Sequence, residues 1–352
     1  MHNVLNTLYV MTPGAYIRLD HDTVKVEVER TTRLQAPLLH LSGITCFGNV
    51  NLSSVIMQRC AEDGRSIVLL DRAGRFKARL VGKTSGNVLL RRAQHRASDD
   101  EERCLGIARS CVAGKMQNAR QILLRSAREA QTAEDAERLA HAAQRQALAL
   151  GRLKRATDVG QVRGHEGEAA RAYFEACNRM IRSDRDEFTF SGRVRRPPIG
   201  RTNALLSFIY ALLLNDCVAA AESVGLDPQV GFLHVLRPGR PALALDLMEE
   251  VRSYVGDRLV LSLINRQQLR PEDFDILPGG AARLTDAARR RVVTAYQERK
   301  QDEVRHAFID RASRWASCRT CRPNGSRGTC VATWRCIHRS WSVDRRPLPA
   351  TS

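Results

Sequence analysis

The sequence predicts an α+β protein, with a small β-rich domain over residues 1–86 followed by a larger all-α domain over residues 87–310. Up to about residue 86, apolar and polar residues alternate at period two, as half-buried strands require. From Asn87 the apolar residues recur at helical spacing, separated by arginine, glutamine and glutamate. The third observation is a change of composition near residue 310. Residues 311–352 hold all three tryptophans, four of the ten cysteines and nine arginines, with no lysine or glutamate, and they follow neither period.

In the first domain, residues 15–20 and 22–29 alternate around an Asp-His corner and predict a hairpin. Residues 38–48 and 66–71 are short β-type runs. Residues 71–82 read as a strand end, a turn at Ala73 and Gly74, and a second strand. Between these runs, Ser53 or Ser54 caps a helix that continues through Cys60 and stops at Gly64. Helical segments follow at 88–113, 115–128, 133–150, 166–181, 202–224 and 283–306. No internal repeat is visible. No stretch is expected to match a transmembrane helix, and the N-terminus lacks a basic region followed by an apolar run. Cys46, Cys60, Cys104, Cys111, Cys177 and Cys217 lie mostly in apolar surroundings and read as reduced core residues. Together these features predict a cytoplasmic protein that makes no membrane contact.

Lysine and arginine total 56 against 38 acidic residues, a net charge of +18 with arginine dominant. Such a field favours polyanions, chiefly nucleic acid, although a basic surface also serves solubility or an anionic membrane. Two loops concentrate the charge. Residues 191–201 contain Arg193, Arg195, Arg196 and Arg201 around Pro197 and Pro198, which exclude a helix. Residues 236–242 hold Arg237 and Arg240 in an Arg-Pro-Gly turn. Both read as phosphate clamps, with solvated linkers as the alternative.

Two segments are candidates for chemistry. In 163–176, Gly164 ends whatever precedes it, and a helix then starts with Glu166 on its first turn beside small alanines. A helix-start glutamate favoured by the dipole is the structural alternative, and Glu168 reads as solvated. In 225–252, Asp227 and Pro228 read as an N-cap and first helical residue. His234 lies in an apolar run, where a satisfied core histidine is the alternative. After the Arg-Pro-Gly turn, Asp246 and Glu249 share one helical face among leucine, alanine and methionine. Buried acids need a cation or hydrogen-bond donors, so the choice lies between a metal and salt bridges to Arg237, Arg240 or Arg252. Glu250 reads as facing solvent. One histidine and two carboxylates suit Mg²⁺ or Mn²⁺ better than structural zinc. Residues 112–116 lack the spacing of a phosphate-binding loop, and no Gly-x-Ser-x-Gly elbow is present.

The runs PLLHLSGITCFGNV, SGNVLLRRAQHR, EGEAARAYF, RTNALLSFIYALL and GLDPQVGFLHVLRPGRPALALDLMEEVR resemble, in order over about residues 3–310, the universal CRISPR-associated integrase, the nuclease subunit of spacer acquisition. The subtype looks closest to I-C. The resemblance implies a β-domain joined to an α-helical catalytic domain, with Glu166, His234 and Glu249 as catalytic metal ligands and Asp246 as a supporting acid. It also implies a homodimer that joins the second universal adaptation protein and acts on double-stranded and branched DNA. That assembly is a metal-dependent endonuclease and integrase that inserts short DNA fragments into the repeat array by 3′-hydroxyl attack on a phosphodiester.

Two features depart from the family. His165 stands where the family usually has an apolar residue and reads as a surface substitution. The tail carries +8 of the charge and does not resemble the family's aliphatic C-terminus, so a frameshifted or otherwise non-native segment is expected. Cys318, Cys321, Cys330, Cys336 and His338 can be read as a zinc site, but their spacing fits no common ribbon or finger well. Two other functions compete with the enzyme: a catalytically impaired DNA-binding scaffold, owing to the altered C-terminus, and a zinc-dependent nucleic-acid regulator centred on the tail.

Overall fold

The computed structural model of the chain describes residues 7–83, 88–195, 197–305 and 312–314. The zinc candidates of the tail and Arg196 lie outside the described residues.

The N-terminal part is β-rich, as expected. β2 (Tyr16–Asp20) and β3 (Thr23–Val28) form the hairpin, turning through His21 and Asp22. β4 (Thr31–Pro37) and β6 (Asn51–Leu52) extend it to a four-stranded sheet of order β4-β3-β2-β6. A second sheet has the order β1-β5-β7-β8. Its β1 (Thr7–Val10), β5 (Gly43–Phe47) and β7 (Ser66–Leu70) run parallel, and β8 (Phe76–Leu80) returns antiparallel. Of the run 38–48, only the second half is strand, because Leu38–His40 makes a single 3-10 turn. The turn before β8 is held by Asp71, whose Oδ1 accepts from the Ala73 and Arg75 amides at 2.9 and 2.8 Å. Ser53 caps α1 (Ser54–Glu62), its hydroxyl accepting from the Ile56 amide.

Two cores result. Ile17, Val24, Ile44, Ile56 and Cys60 pack between the sheets and α1. The opposite face of the second sheet contributes Phe47, Val68 and Leu70 to a large core shared with the helices. The two parts therefore cannot separate without exposing apolar surface.

The second part is mostly helical: α2 (Val88–Ser98), α3 (Glu101–Arg128), α4 (Ala133–Leu153), α5 (Val159–Glu175), α6 (Cys177–Met180), α7 (Arg201–Ser223), α8 (Ala242–Arg252), α9 (Arg258–Asn265) and α10 (Asp286–Gln301). A π-helical turn, Ser253–Asp257, joins α8 to α9. A small hairpin of β9 (Phe274–Ile276) and β10 (Ala282–Leu284) makes this part less than all-α and moves the start of the last helix from 283 to Asp286. β11 (Glu303–Arg305) pairs with β12 (Ala312–Arg314). At the junction of the two parts, Gln297 of α10 donates to the Thr7 carbonyl of β1 at 2.8 Å, and Arg289 donates to the Arg72 carbonyl.

Several sequence expectations are corrected by capping and packing. The helix break falls at Asp99 and Asp100, not at Gly114: Asp100 accepts from the Arg103 amide at 3.0 Å and starts α3 afresh. Gly114 sits inside α3 because a Cβ there would stand 2.6 Å from Cγ of buried Glu250 on α8. Gly164 does not end a helix either. Asp158 caps α5 by accepting from the Gln161 amide at 2.9 Å, so Glu166 lies in the third turn and not the first. Asp227 and Pro228 start no helix: Asp227 Oδ1 accepts from the Gln229 amide, a local turn. The Pro228 carbonyl instead accepts from the Leu243 amide at the start of α8.

Contrary to the sequence reading, α7 is long and apolar enough to cross a membrane, with a mean hydropathy of 1.8. Here it is a core helix, with Leu205, Ile209 and Leu213 fully buried. Cys46, Cys60, Cys104, Cys111, Cys177 and Cys217 are all free, and all but half-buried Cys104 are buried.

Gly114→Ala sets a helix-propensity gain of about 1 kcal/mol against overpacking of roughly 1–3 kcal/mol at the α3–α8 contact. Because Glu250 is buried and cannot swing away, the variant is expected to melt below the wild type. A higher Tm by calorimetry would mean that the two helices are not in close contact at this position.

Candidate active site

The site begins with Asp246, which is fully buried on α8. Its Oδ2 accepts from the Phe232 and Leu233 amides at 2.6 and 3.0 Å, and its Oδ1 accepts from the His234 amide at 3.0 Å. Three successive amides thus converge on one carboxylate and compensate its burial. Gly231 makes the approach possible: a Cβ there would stand 2.6 to 2.7 Å from the backbone of Ala242 and Leu243 and from Asp246 Oδ2. The same Oδ1 lies 2.7 Å from His234 Nδ1. The carboxylate sets the tautomer, placing the proton on Nδ1 and leaving the Nε2 lone pair for an electrophile. Asp246 therefore acts on the site through His234.

Glu166 comes from α5 and Glu249 from α8. Together with His234, Arg163, Arg240 and Leu233 they line one cavity of about 200 Å³. Arg163 is anchored there by donating to the Leu233 carbonyl at 2.6 Å. The three expected ligands thus share a cavity. Among the described residues, however, no group of three or more His, Cys, Asp or Glu is drawn close enough to hold a metal. The two carboxylates instead meet at Lys115 of α3. Its buried ammonium pairs with Glu166 Oε1 and lies 2.6 Å from Glu249 Oε2. Arg252 pairs with Glu249 Oε1 at 3.0 Å, as the salt-bridge alternative anticipated for that arginine. Burial alone would raise the Glu249 carboxyl. The Arg252 guanidinium and Lys115 ammonium outweigh it and hold the group at about 2.

The residues fit a divalent cation. Glu249 Oε2 is buried and is faced by the Lys115 ammonium at 2.6 Å, a cation already drawn to this oxygen. A nitrogen lone pair and two carboxylates face the same space, and a hard cation prefers such donors. A second layer supports them. Tyr210 lies between two guanidinium groups, Arg193 at 5.4 Å and Arg252 at 5.5 Å from its ring, and its hydroxyl donates to Asp257 Oδ1. Burial pushes the Asp257 carboxyl above its usual range, against the pull of Arg252 and the tyrosine hydroxyls.

Glu250 is buried on α8 rather than solvent-facing, because Gly114 lets α3 close over it. Glu168 is exposed, as expected, and pairs with Arg152. His165 is half-buried.

The arginine clamps separate into two groups. Arg193 is not a free clamp: it donates to the Val194 carbonyl, Asn203 Oδ1 and Ser207 Oγ and stacks on Tyr210. Arg201 is tied to Glu187 at 2.9 Å and to the Pro271 carbonyl. Arg195 and Arg237 are exposed, and Arg240 is half-buried at the cavity.

The sequence reading missed Lys115 and Asp257. The helical stripe of Ala108, Cys111, Val112, Lys115, Met116 and Ala119 was the available signal for Lys115, because a lysine in phase with a buried stripe needs an anionic partner.

A family model described as "CRISPR associated protein Cas1" matches residues 8–298. The chain is 55% identical over 311 residues to a CRISPR-associated endonuclease Cas1 of Moorella thermoacetica, covering 88% of this chain and 91% of that protein. Among solved structures, a casposase bound to integration product superposes with a TM-score of 0.77 at 22% identity, over 97% of this chain and 92% of that one. A chain of a partial Cas6-RT-Cas1–Cas2 complex superposes with a TM-score of 0.55 at 26% identity, over 84% of this chain and 89% of that one.

Glu249 sits at about 2 when folded, against 4.5 for the free side chain. Its folded value is depressed, so its contribution to stability is fully present above about pH 4.5 and is lost as the pH falls toward 2. Wild-type Tm should therefore fall faster between about pH 5 and 3 than that of Glu249→Gln, in which this titration is absent. Parallel curves would remove Glu249 from the buried charge cluster.

Proposed function

The chain belongs to the CRISPR-associated Cas1 family, and from that premise we propose that it is a metal-dependent DNA endonuclease and integrase of spacer acquisition. On the stretches quoted above we assign it to a branch close to subtype I-C. The reading is carried by the convergence of His234, Glu166 and Glu249, from three separate segments, on one arginine-flanked cavity.

Glu166, His234 and Glu249 would hold Mg²⁺ or Mn²⁺, which when bound supplies Lewis-acid activation of a phosphodiester. The chain's own residues do the rest. Asp246 fixes the His234 ring and tautomer so that Nε2 faces the cavity. Arg163 and Arg240, at the cavity wall, face the non-bridging oxygens of an entering phosphodiester. The terminal 3′-hydroxyl of a DNA fragment attacks phosphorus. One P–O bond forms as one breaks, the attacking hydroxyl gives up its proton, and the departing 3′-oxygen gains one. The number of phosphodiesters is conserved, so the step needs no other energy source. Running it backwards resolves branched DNA.

The chain acts in the cytoplasm as a homodimer joined by the second universal adaptation protein. The Cas1–Cas2 complex among its structural relatives supports that partner. Exposed Arg195 and Arg237 contribute phosphate contacts.

The test is a disintegration assay on branched DNA with Mn²⁺. Wild type should transfer strands, His234→Ala should lose on the order of a hundredfold or more, and Asp246→Asn should lose about 10–100-fold. Equal rates for wild type and His234→Ala would reject the site. In DNA-binding titrations, Arg195→Ala and Arg237→Ala should each flatten the salt slope by about 1. Arg193→Ala should instead lower Tm, because its guanidinium is engaged with Asn203, Ser207 and Tyr210.

A further inference from the structure

Lys115 presents an unusual arrangement. A lysine stem runs along the buried stripe of α3 and ends between two carboxylates that the proposed reaction needs for a cation. The ammonium and a divalent ion would compete for the same oxygens at close range, where like charges repel strongly. A buried ammonium also cannot simply lose its partners, because stranding it would cost several kcal/mol.

The structure offers it a second location. Lys115 also lines a small void of about 10 Å³, together with Tyr173, Gln146, Arg252 and Asp257. A void of that size admits about one water-sized group. Two buried polar atoms in this region, the Tyr173 hydroxyl and Asp257 Oδ2, make no hydrogen bond of ordinary geometry, although the hydroxyl lies close enough to pull on the carboxyl. The other Asp257 oxygen is taken by the Tyr210 hydroxyl. The backbone there is a π-helical turn, a local irregularity whose last residue is the buried Asp257.

We propose that Lys115 is a built-in occupant of the cation site with two positions, one between Glu166 and Glu249 and one against Asp257 Oδ2 and the Tyr173 hydroxyl. The inference rests on the metal-site reading above and adds the residue that regulates it. In the first position the ammonium holds the two glutamates together and neutralises them. When a divalent ion takes the glutamates, the ammonium moves to the second position and gives Asp257 Oδ2 a charged partner. Apparent metal affinity is reduced by the fraction of molecules in which Lys115 still occupies the site. Lys115 is thus a positioning residue, and Asp257 is the acceptor that lets it leave.

The test titrates Mn²⁺ alone into the purified full chain by calorimetry, with His234→Ala to identify binding at this site. Lys115→Met keeps a long unbranched stem and removes the charge, so it should bind Mn²⁺ about tenfold more tightly than wild type. Asp257→Asn removes the charge of the second position and should weaken binding by about the same factor. The double variant should bind as Lys115→Met does, because the second position matters only to an ammonium. Binding by Lys115→Met no tighter than wild type overturns the inference. If that variant does not fold, a crystal of the wild-type chain grown with Mn²⁺ decides. Nζ within hydrogen-bond reach of Asp257 Oδ2 upholds the proposal, and Nζ still between the glutamates overturns it. His234-dependent Mn²⁺ binding that ignores both Lys115 and Asp257 overturns this inference and leaves the functional reading standing. No His234-dependent binding in any variant overturns both.

Discussion

The arrangement around the cavity depends on one buried carboxylate. Asp246 gathers the amides of three successive residues and the ring of His234, and in doing so ties an irregular loop to the side of α8. A loop without regular backbone hydrogen bonds would otherwise carry unpaired donors into the interior. Because the same helix presents Glu249 three residues further on, the histidine and one acid are set relative to each other by a single rigid element. α5 then has only to deliver Glu166 to a site whose other half is already fixed.

A chain of cations runs behind this centre, with Lys115 and Arg252 buried and Arg193 half-buried. Lys115 and Arg252 neutralise Glu249, and Arg252 in turn stacks on Tyr210, which also carries Arg193. A buried charge is tolerated when its partners are in place and strongly destabilising when one is removed. The cluster therefore couples α3, α7, α8 and the loop before α7, so that a change at Tyr210 or Arg193 reaches Glu249 without touching it. The loop arginines consequently have different roles. Arg193 belongs to the interior, whereas Arg195, two residues on, is exposed.

Much of this was legible in the sequence. The period-two alternation of 15–29 gave the hairpin because one face must be buried. Ser53 gave the start of α1 through its side-chain acceptor. His234, Asp246 and Glu249 stood out as polar residues in apolar contexts, Glu166 was singled out by the family resemblance, and all four line or support one cavity. The misread elements were those decided by tertiary contact. Gly114 looks like a break, but it marks the place where α8 presses on α3. Gly164 is absorbed because Asp158 had already capped the helix. Lys115 was overlooked because its partners lie about fifty residues or more away in the chain, and only packing brings them together. Arg193 was read as a clamp because nothing local shows that α7 supplies Asn203, Ser207 and Tyr210 to hold it.

The contact between Gln297 and Thr7 joins the last long helix to the first strand across nearly the whole described chain. β1 lies at the edge of its sheet and takes its place beside β5 by parallel pairing. On the ribosome, β1 waits for α10, 290 residues further along the chain, before that contact can form. Throughout synthesis of the intervening residues its outer edge stays open to other nascent chains, which makes slow translation of the helical half the interval of greatest aggregation risk.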